Sequence, residues 1–118
     1  MTDKFSENYE LKDIKTDGIK LSASLFIPKD LVFFDGHFDK VPILPGIIQL
    51  HWAITLASKH LDMKGIFTRV DLLKFKKIIQ PDNLVQLDIF YDSNKHMMDF
   101  RYTSSIGEHS FGKVSFAS

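Results

Sequence analysis

The sequence predicts an α+β domain in which a curved antiparallel sheet wraps one long apolar helix. Three observations carry this expectation. One apolar, helix-like segment opens at Pro45-Gly46 and runs to about Met63, a period-two alternation fills residues 19–27, and everything after Gly65 reads as strands divided by turn chemistry.

In chain order, a polar lead-in from Met1 to Asn8 precedes a short strand, Tyr9 to Lys15, and a turn at Asp17-Gly18. Ile19, Leu21, Ala23, Leu25 and Ile27 then alternate with Lys20, Ser22 and Ser24, the pattern of a half-buried strand that stops at Pro28. Leu31 to Phe34 leads into a loop carrying Gly36, His37 and Phe38. The helix follows, with Lys64-Gly65 as its stop signal. Ile66–Lys74, Leu84–Tyr91, Met97–Ser105 and Ser110–Phe116 are expected as an antiparallel meander. Their connectors, Gln80-Pro81-Asp82-Asn83, Asp92-Ser93-Asn94 and Ile106-Gly107-Glu108, are turn formers.

A chain of 118 residues, 44% of them hydrophobic and eleven of them Phe, is expected to be a single domain, 1–118, with a real core. Zero net charge gives no bulk attraction to nucleic acid or to a membrane surface. The first residues show no signal-like apolar region, and no run approaches the roughly twenty residues of a membrane span, so the expected setting is cytoplasmic. Without cysteine there is neither thiol catalysis nor thiolate-bound zinc. No HxxxH or HExxH arrangement suggests a metal, and no cofactor is expected.

The stretch from Phe33 to Leu61 organises the rest. Pro45 suits the first helical position because the N–H it lacks would be unpaired there anyway. No Ser, Thr, Asp or Asn immediately precedes it, which leaves the amides of Gly46 and its neighbours available to a ligand oxygen. The helix is apolar around most of its circumference and therefore buried, so Gln49, His51 and Thr55 are the residues that need an explanation.

At these residues the chain resembles the hotdog-fold 3-hydroxyacyl-(acyl carrier protein) dehydratases of fatty acid synthesis, the FabA/FabZ-like family. Gly36, His37, Phe38, Pro42, Pro45 and Gly46 fall in register with the family's loop-and-helix motif. The KFKKIIQPDN segment, Lys74 to Asn83, is similar to the family's connector between strands. His51 stands where the family has its catalytic acid, at the same spacing from His37, and Asp39 replaces the usual proline after His-Phe. The variant PILPGIIQLHWA is most similar to dehydratase-like members of aryl polyene and related polyketide-type pathways. The resemblance implies a hotdog fold over nearly the whole chain and a substrate carried on acyl carrier protein.

Dehydrating a 3-hydroxyacyl thioester to the trans-2-enoyl product needs a base at C2, donors for the developing enolate oxygen, and a proton for the departing hydroxyl. His37 suits the first task as a neutral imidazole. Amides at Gly46 and Ile47, with the helix dipole behind them, suit the second, and Pro45 and Phe38 are expected to border the substrate. His51 is the candidate for the third, as an imidazolium whose charge is coupled to that of His37. Its rival role is a buried histidine bonded to neighbouring backbone. Lys74, Lys76 and Lys77 form either a solvated strand face or a docking surface for an acidic carrier protein. His60, His96 and His109 read as surface residues.

Two other functions stay open. A hotdog acyl thioesterase would want a carboxylate on the helix, and the segment from Val41 to His60 contains neither Asp nor Glu. A catalytically reduced acyl-binding subunit of a heterodimer fits the lost acid, whereas the retained His37 speaks for an enzyme. A sheet over one helix leaves that helix incompletely covered, so a homodimer or heterodimer with sites at the subunit boundary is expected.

Overall fold

The computed structural model describes residues 9–29, 42–63 and 65–117. The segment expected to hold Gly36, His37, Phe38 and Asp39 lies outside the described residues. Six strands and one helix follow in the order β1 (Glu10–Thr16), β2 (Lys20–Ile27), α1 (Gly46–His60), β3 (Ile66–Phe75), β4 (Asn83–Asp92), β5 (Met97–Ser104) and β6 (Gly107–Ala117). All pairings are antiparallel, and the sheet order is β1-β2-β4-β5-β6-β3.

Alternation in the sequence becomes one buried sheet face. Leu21, Ala23 and Leu25 lie opposite Ile89, Leu87 and Val85, and Leu87 and Ile89 lie opposite Tyr102 and Phe100. All of these are buried. The helix sets Ile48, Trp52, Ala53, Leu56 and Ala57 into the same core, where the Trp52 ring meets Tyr9 edge-on at 4.9 Å between centroids. A helix of 15 residues is marginal alone, so its stability comes from this packing, at about 1.5–3 kcal/mol for each large apolar side chain buried.

The β1–β2 turn forms as its residues dictate. Gly18 takes φ 100, and the Asp17 carboxylate accepts from the amides of Ile19 at 3.1 Å and Lys20 at 2.8 Å. These bonds hold the Asp17 carboxyl below its usual range.

Two expectations change. Only β4, β5 and β6 form a meander, because β3 pairs with β6 at the far edge and never meets β4. The helix ends at His60 rather than near Met63. Leu61 turns extended (φ −110, ψ 155) and buries its side chain, and the Asp62 amide donates to Gly18 O at 2.9 Å. Thr16 Oγ1 donates to the His60 carbonyl at 3.3 Å. Docking on the β1–β2 turn overrides the Lys64-Gly65 stop signal.

Edge strand β3 is broken by register shifts near Thr68 and Asp71, and Ile66, Phe67, Val70 and Phe75 are exposed on it. Among the described residues no strand covers the outer side of β3, and apolar exposure on such an edge suits contact with a partner.

Candidate active site

The helix begins one residue later than the sequence predicts, at Gly46, because Pro45 keeps an extended backbone. Pro45 is the N-cap residue (φ −60, ψ 145), and its carbonyl accepts from Ile48 N at 3.1 Å and Gln49 N at 3.2 Å. No side chain caps this end, and no acidic residue occupies its first turn. Among the described residues nothing accepts from the amides of Gly46 and Ile47. Free amides at the positive end of a helix dipole suit an acceptor oxygen.

A cavity of about 230 Å³ opens at this helix end. Ile43 and Leu44 form one wall, Gly46 and Gln49 its floor, and the strap from Phe75 to Ile78 the other wall. Gly46 is needed for its missing side chain, because a Cβ there would overlap the Phe75 ring, with Cε1 only 2.8 Å away. A larger hollow of about 720 Å³ lies on the outer sheet face, among Ser22, Asp88, Phe90, Arg101, Phe111 and Lys113. None of Pro45, Gly46, Ile47 and His51 lines it, so the smaller cavity is the candidate site.

Gln49 explains itself. It is 3% exposed; its Nε2 donates to Leu44 O at 3.2 Å, and its Oε1 accepts from Ser110 Oγ at 2.7 Å. Its backbone carbonyl accepts from Tyr102 Oη at 2.7 Å, and burial raises the Tyr102 phenol well above its ordinary range, keeping it a donor. Leu44 N in turn donates to Ile79 O at 2.8 Å. The helix start, its approach segment and the end of the strap are thus tied together by polar groups inside the core.

His109 corrects the sequence reading. It is 3% exposed, not a surface residue, because a register shift after Tyr102 turns the start of β6 toward the strap. Its Nδ1 faces the carbonyls of Ile78 at 3.0 Å and Lys77 at 3.3 Å, so Nδ1 carries the proton and donates. Nε2 accepts from Ser104 Oγ at 2.6 Å. The His109 carbonyl accepts from the amides of Lys76 at 2.8 Å and Lys77 at 3.2 Å. No local sequence signal marks this role, since its partners sit in a distant connector.

The lysines are unequal. Lys76 pairs with Glu108 at 2.8 Å and stands over the Phe111 ring at 5.3 Å, while Lys77 Nζ donates to Ile106 O. Bonding to Lys76, helped by the charge of Arg101, lowers the Glu108 carboxyl. Lys74 has no ion-pair partner among the described residues.

His51 is half-buried on the helix stripe shared with Ile47, which is 64% exposed, and Thr55. From Gly46 to His51 the helix rises roughly 7.5 Å and turns about 0.4 of a circle beyond a full turn. His51 accordingly does not line the cavity. Of the residues the sequence singles out, Gly46, Gln49, Lys76 and Lys77 line it, Pro45, Ile47 and Lys74 do not, and His37 and Phe38 fall outside the described residues. Among the described residues no cluster of three His, Asp or Glu side chains could hold a metal, and no helix is long and apolar enough to cross a membrane.

The chain is similar in fold to a chain of the dehydratase heterocomplex ApeI:P from Xenorhabdus doucetiae, with a TM-score of 0.88, 27% identity, and coverage of 95% of this chain and 100% of that one. It is 31% identical over 70 residues to the 3-hydroxyacyl-(acyl-carrier-protein) dehydratase FabZ of a Thermoanaerobacter species, covering 53% of this chain and 49% of that protein. The FabZ of Erythrobacter litoralis is 30% identical over 99 residues, covering 75% of this chain and 66% of that protein. The match thus spans about half the length of the first of these curated relatives. One antiparallel sheet around one helix is the hotdog fold. The family model for ApeI dehydratase matches residues 13–113, and the chain belongs to the ApeI-like dehydratase family.

Proposed function

We propose that the protein dehydrates 3-hydroxyacyl thioesters carried on acyl carrier protein to trans-2-enoyl thioesters, in the cytoplasm, for fatty acid or polyene-type lipid synthesis. The observation that carries this reading is the uncapped helix end at Gly46 and Ile47, opening on a cavity of about 230 Å³. The thioester oxygen accepts from these amides, His37 takes the C2 proton, and the electron pair moves to form the enolate. The C3–O bond then breaks as His51 delivers a proton, and water departs. Solvent restores the proton to His51 and removes one from His37. Lys74, with Lys76 and Lys77 beside the cavity mouth, faces the acidic carrier.

His51 is assigned to the site of the neighbouring subunit. Its place on the helix stripe with the exposed Ile47, outside the lining of its own cavity, supports this, as does the exposed apolar edge of β3. The thioesterase alternative lacks its carboxylate, since α1 carries no Asp or Glu. A second reading, a hotdog heterodimer whose other subunit completes the site, is favoured by the fold similarity to a chain of the ApeI:P heterocomplex.

The test begins with a 3-hydroxyacyl carrier thioester and reads loss of water by mass. His37→Ala and His51→Ala, each inactive alone, should regain up to about a quarter of wild-type turnover when mixed, because one dimer in two is then a hybrid and each hybrid carries one intact site of its two. Inactive wild type that a second hotdog subunit activates would favour the heterodimer. Full activity of His51→Ala would remove His51 from the mechanism.

A further inference from the structure

We infer that His109 is a positioning residue of the dehydratase site, a clamp that holds the wall of the cavity facing the helix amides. It deepens the function proposed above and rests on it. The observation is a closed ring of hydrogen bonds that begins and ends on two adjacent residues of β6. Ser110 donates to Gln49, Gln49 to Leu44 O, and Leu44 N to Ile79 O, next to Ile78; the ring closes where His109 Nδ1 donates to Ile78 O. Leu44, Gln49 and Ile78 of the ring line the cavity, on the helix side and on the strap side alike.

The His109 imidazole is suited to this as few side chains are. It is buried, donates from one nitrogen to the strap and accepts at the other from Ser104. The Ser104–His109 pair is not a nucleophile and its base, because Ser104 Oγ already accepts from Ile106 N at 3.3 Å and lines neither cavity. Its work is to cap the β5–β6 turn and steady the ring. Without His109 the strap loses its side-chain bond, Phe75 and Ile78 shift, and the thioester oxygen is no longer held squarely against Gly46 and Ile47.

Three variants separate positioning from stability. Asn places an amide N–H where Nδ1 stands, Gln places one where Nε2 stands, and Ala places none. Per folded molecule, His109→Ala should lower kcat on the order of a hundredfold with KM within a few-fold, since the lost alignment matters in the transition state. His109→Asn should restore kcat to within about threefold of wild type, and His109→Gln should not. Amide exchange in 76–80 and 43–48 should quicken in the Ala and Gln variants and stay near wild type in Asn. Wild-type kcat in His109→Ala, or equal rates for Asn and Gln, would overturn the inference. If wild type itself fails to dehydrate, the function proposed above falls separately, and unchanged exchange in His109→Ala then overturns the clamp.

Discussion

Replacing Gln49 by leucine keeps the volume of the side chain and deletes both ends of its bonding. The carbonyl of Leu44 loses a donor at 3.2 Å and the hydroxyl of Ser110 loses an acceptor at 2.7 Å, both in the core. A buried polar group left unpaired costs about 1–3 kcal/mol, so Gln49→Leu should destabilise by roughly 2–4 kcal/mol. Near 4 °C per kcal/mol for a domain of this size, the melting temperature should fall by roughly 10 °C. Ser110→Ala alone strands only Gln49 Oε1. The double variant strands only Leu44 O, and should therefore be more stable than the sum of the singles by about 1 kcal/mol or more. Urea and thermal unfolding at fixed protein concentration measure all four corners of this cycle. Wild-type stability for Gln49→Leu, or strict additivity, would refute the account of the buried ring.

Gly46→Ala should lose turnover on the order of tenfold or more with the fold retained, because the new Cβ displaces Phe75 from the cavity wall; a full steady-state comparison with wild type checks it. Glu108 contributes stability that is present above the ordinary glutamate range and lost as pH falls through its lowered folded value, so Glu108→Gln should flatten the acid limb of a stability-against-pH curve measured by urea unfolding. Charging the β3 edge with Val70→Lys should shift the protein toward monomer in sedimentation and reduce activity with it, whereas an unaltered dimer would move the interface elsewhere.

Much of this molecule is legible because alternation is a local property. Leu21, Ala23, Leu25 and Ile27 declare their buried face within one strand, and Pro45-Gly46 declares a helix start within two residues. The edge position of β3 is not local. Ile66–Phe75 reads as a strand in either place, and only the route of the chain past β6 decides its neighbour. The helix stops earlier than its sequence signal for a related reason, since Asp62 answers to Gly18 on a distant turn. At the site, Gln49 announced itself as a polar residue on an apolar helix. His109 did not, because its bonding partners are backbone carbonyls, and carbonyls leave no trace in a sequence.

Leaving a helix end uncapped forgoes about 1 kcal/mol, and the structure shows how this end is held without a cap. Among the described residues the groups that secure it are neutral: the Gln49 amide, the hydroxyls of Ser110 and Tyr102, and backbone amides and carbonyls. The two nearby ammonium groups are engaged elsewhere, Lys76 by Glu108 and Lys77 by Ile106 O. A carboxylate placed to cap Gly46 would stabilise the helix equally well, but it would occupy the amides and cancel the roughly half charge that the dipole presents there. Neutral anchoring keeps both. Among the described residues the amides stay open and no acidic residue of the first turn offsets the dipole, so on the mechanism proposed above they are free for the enolate oxygen.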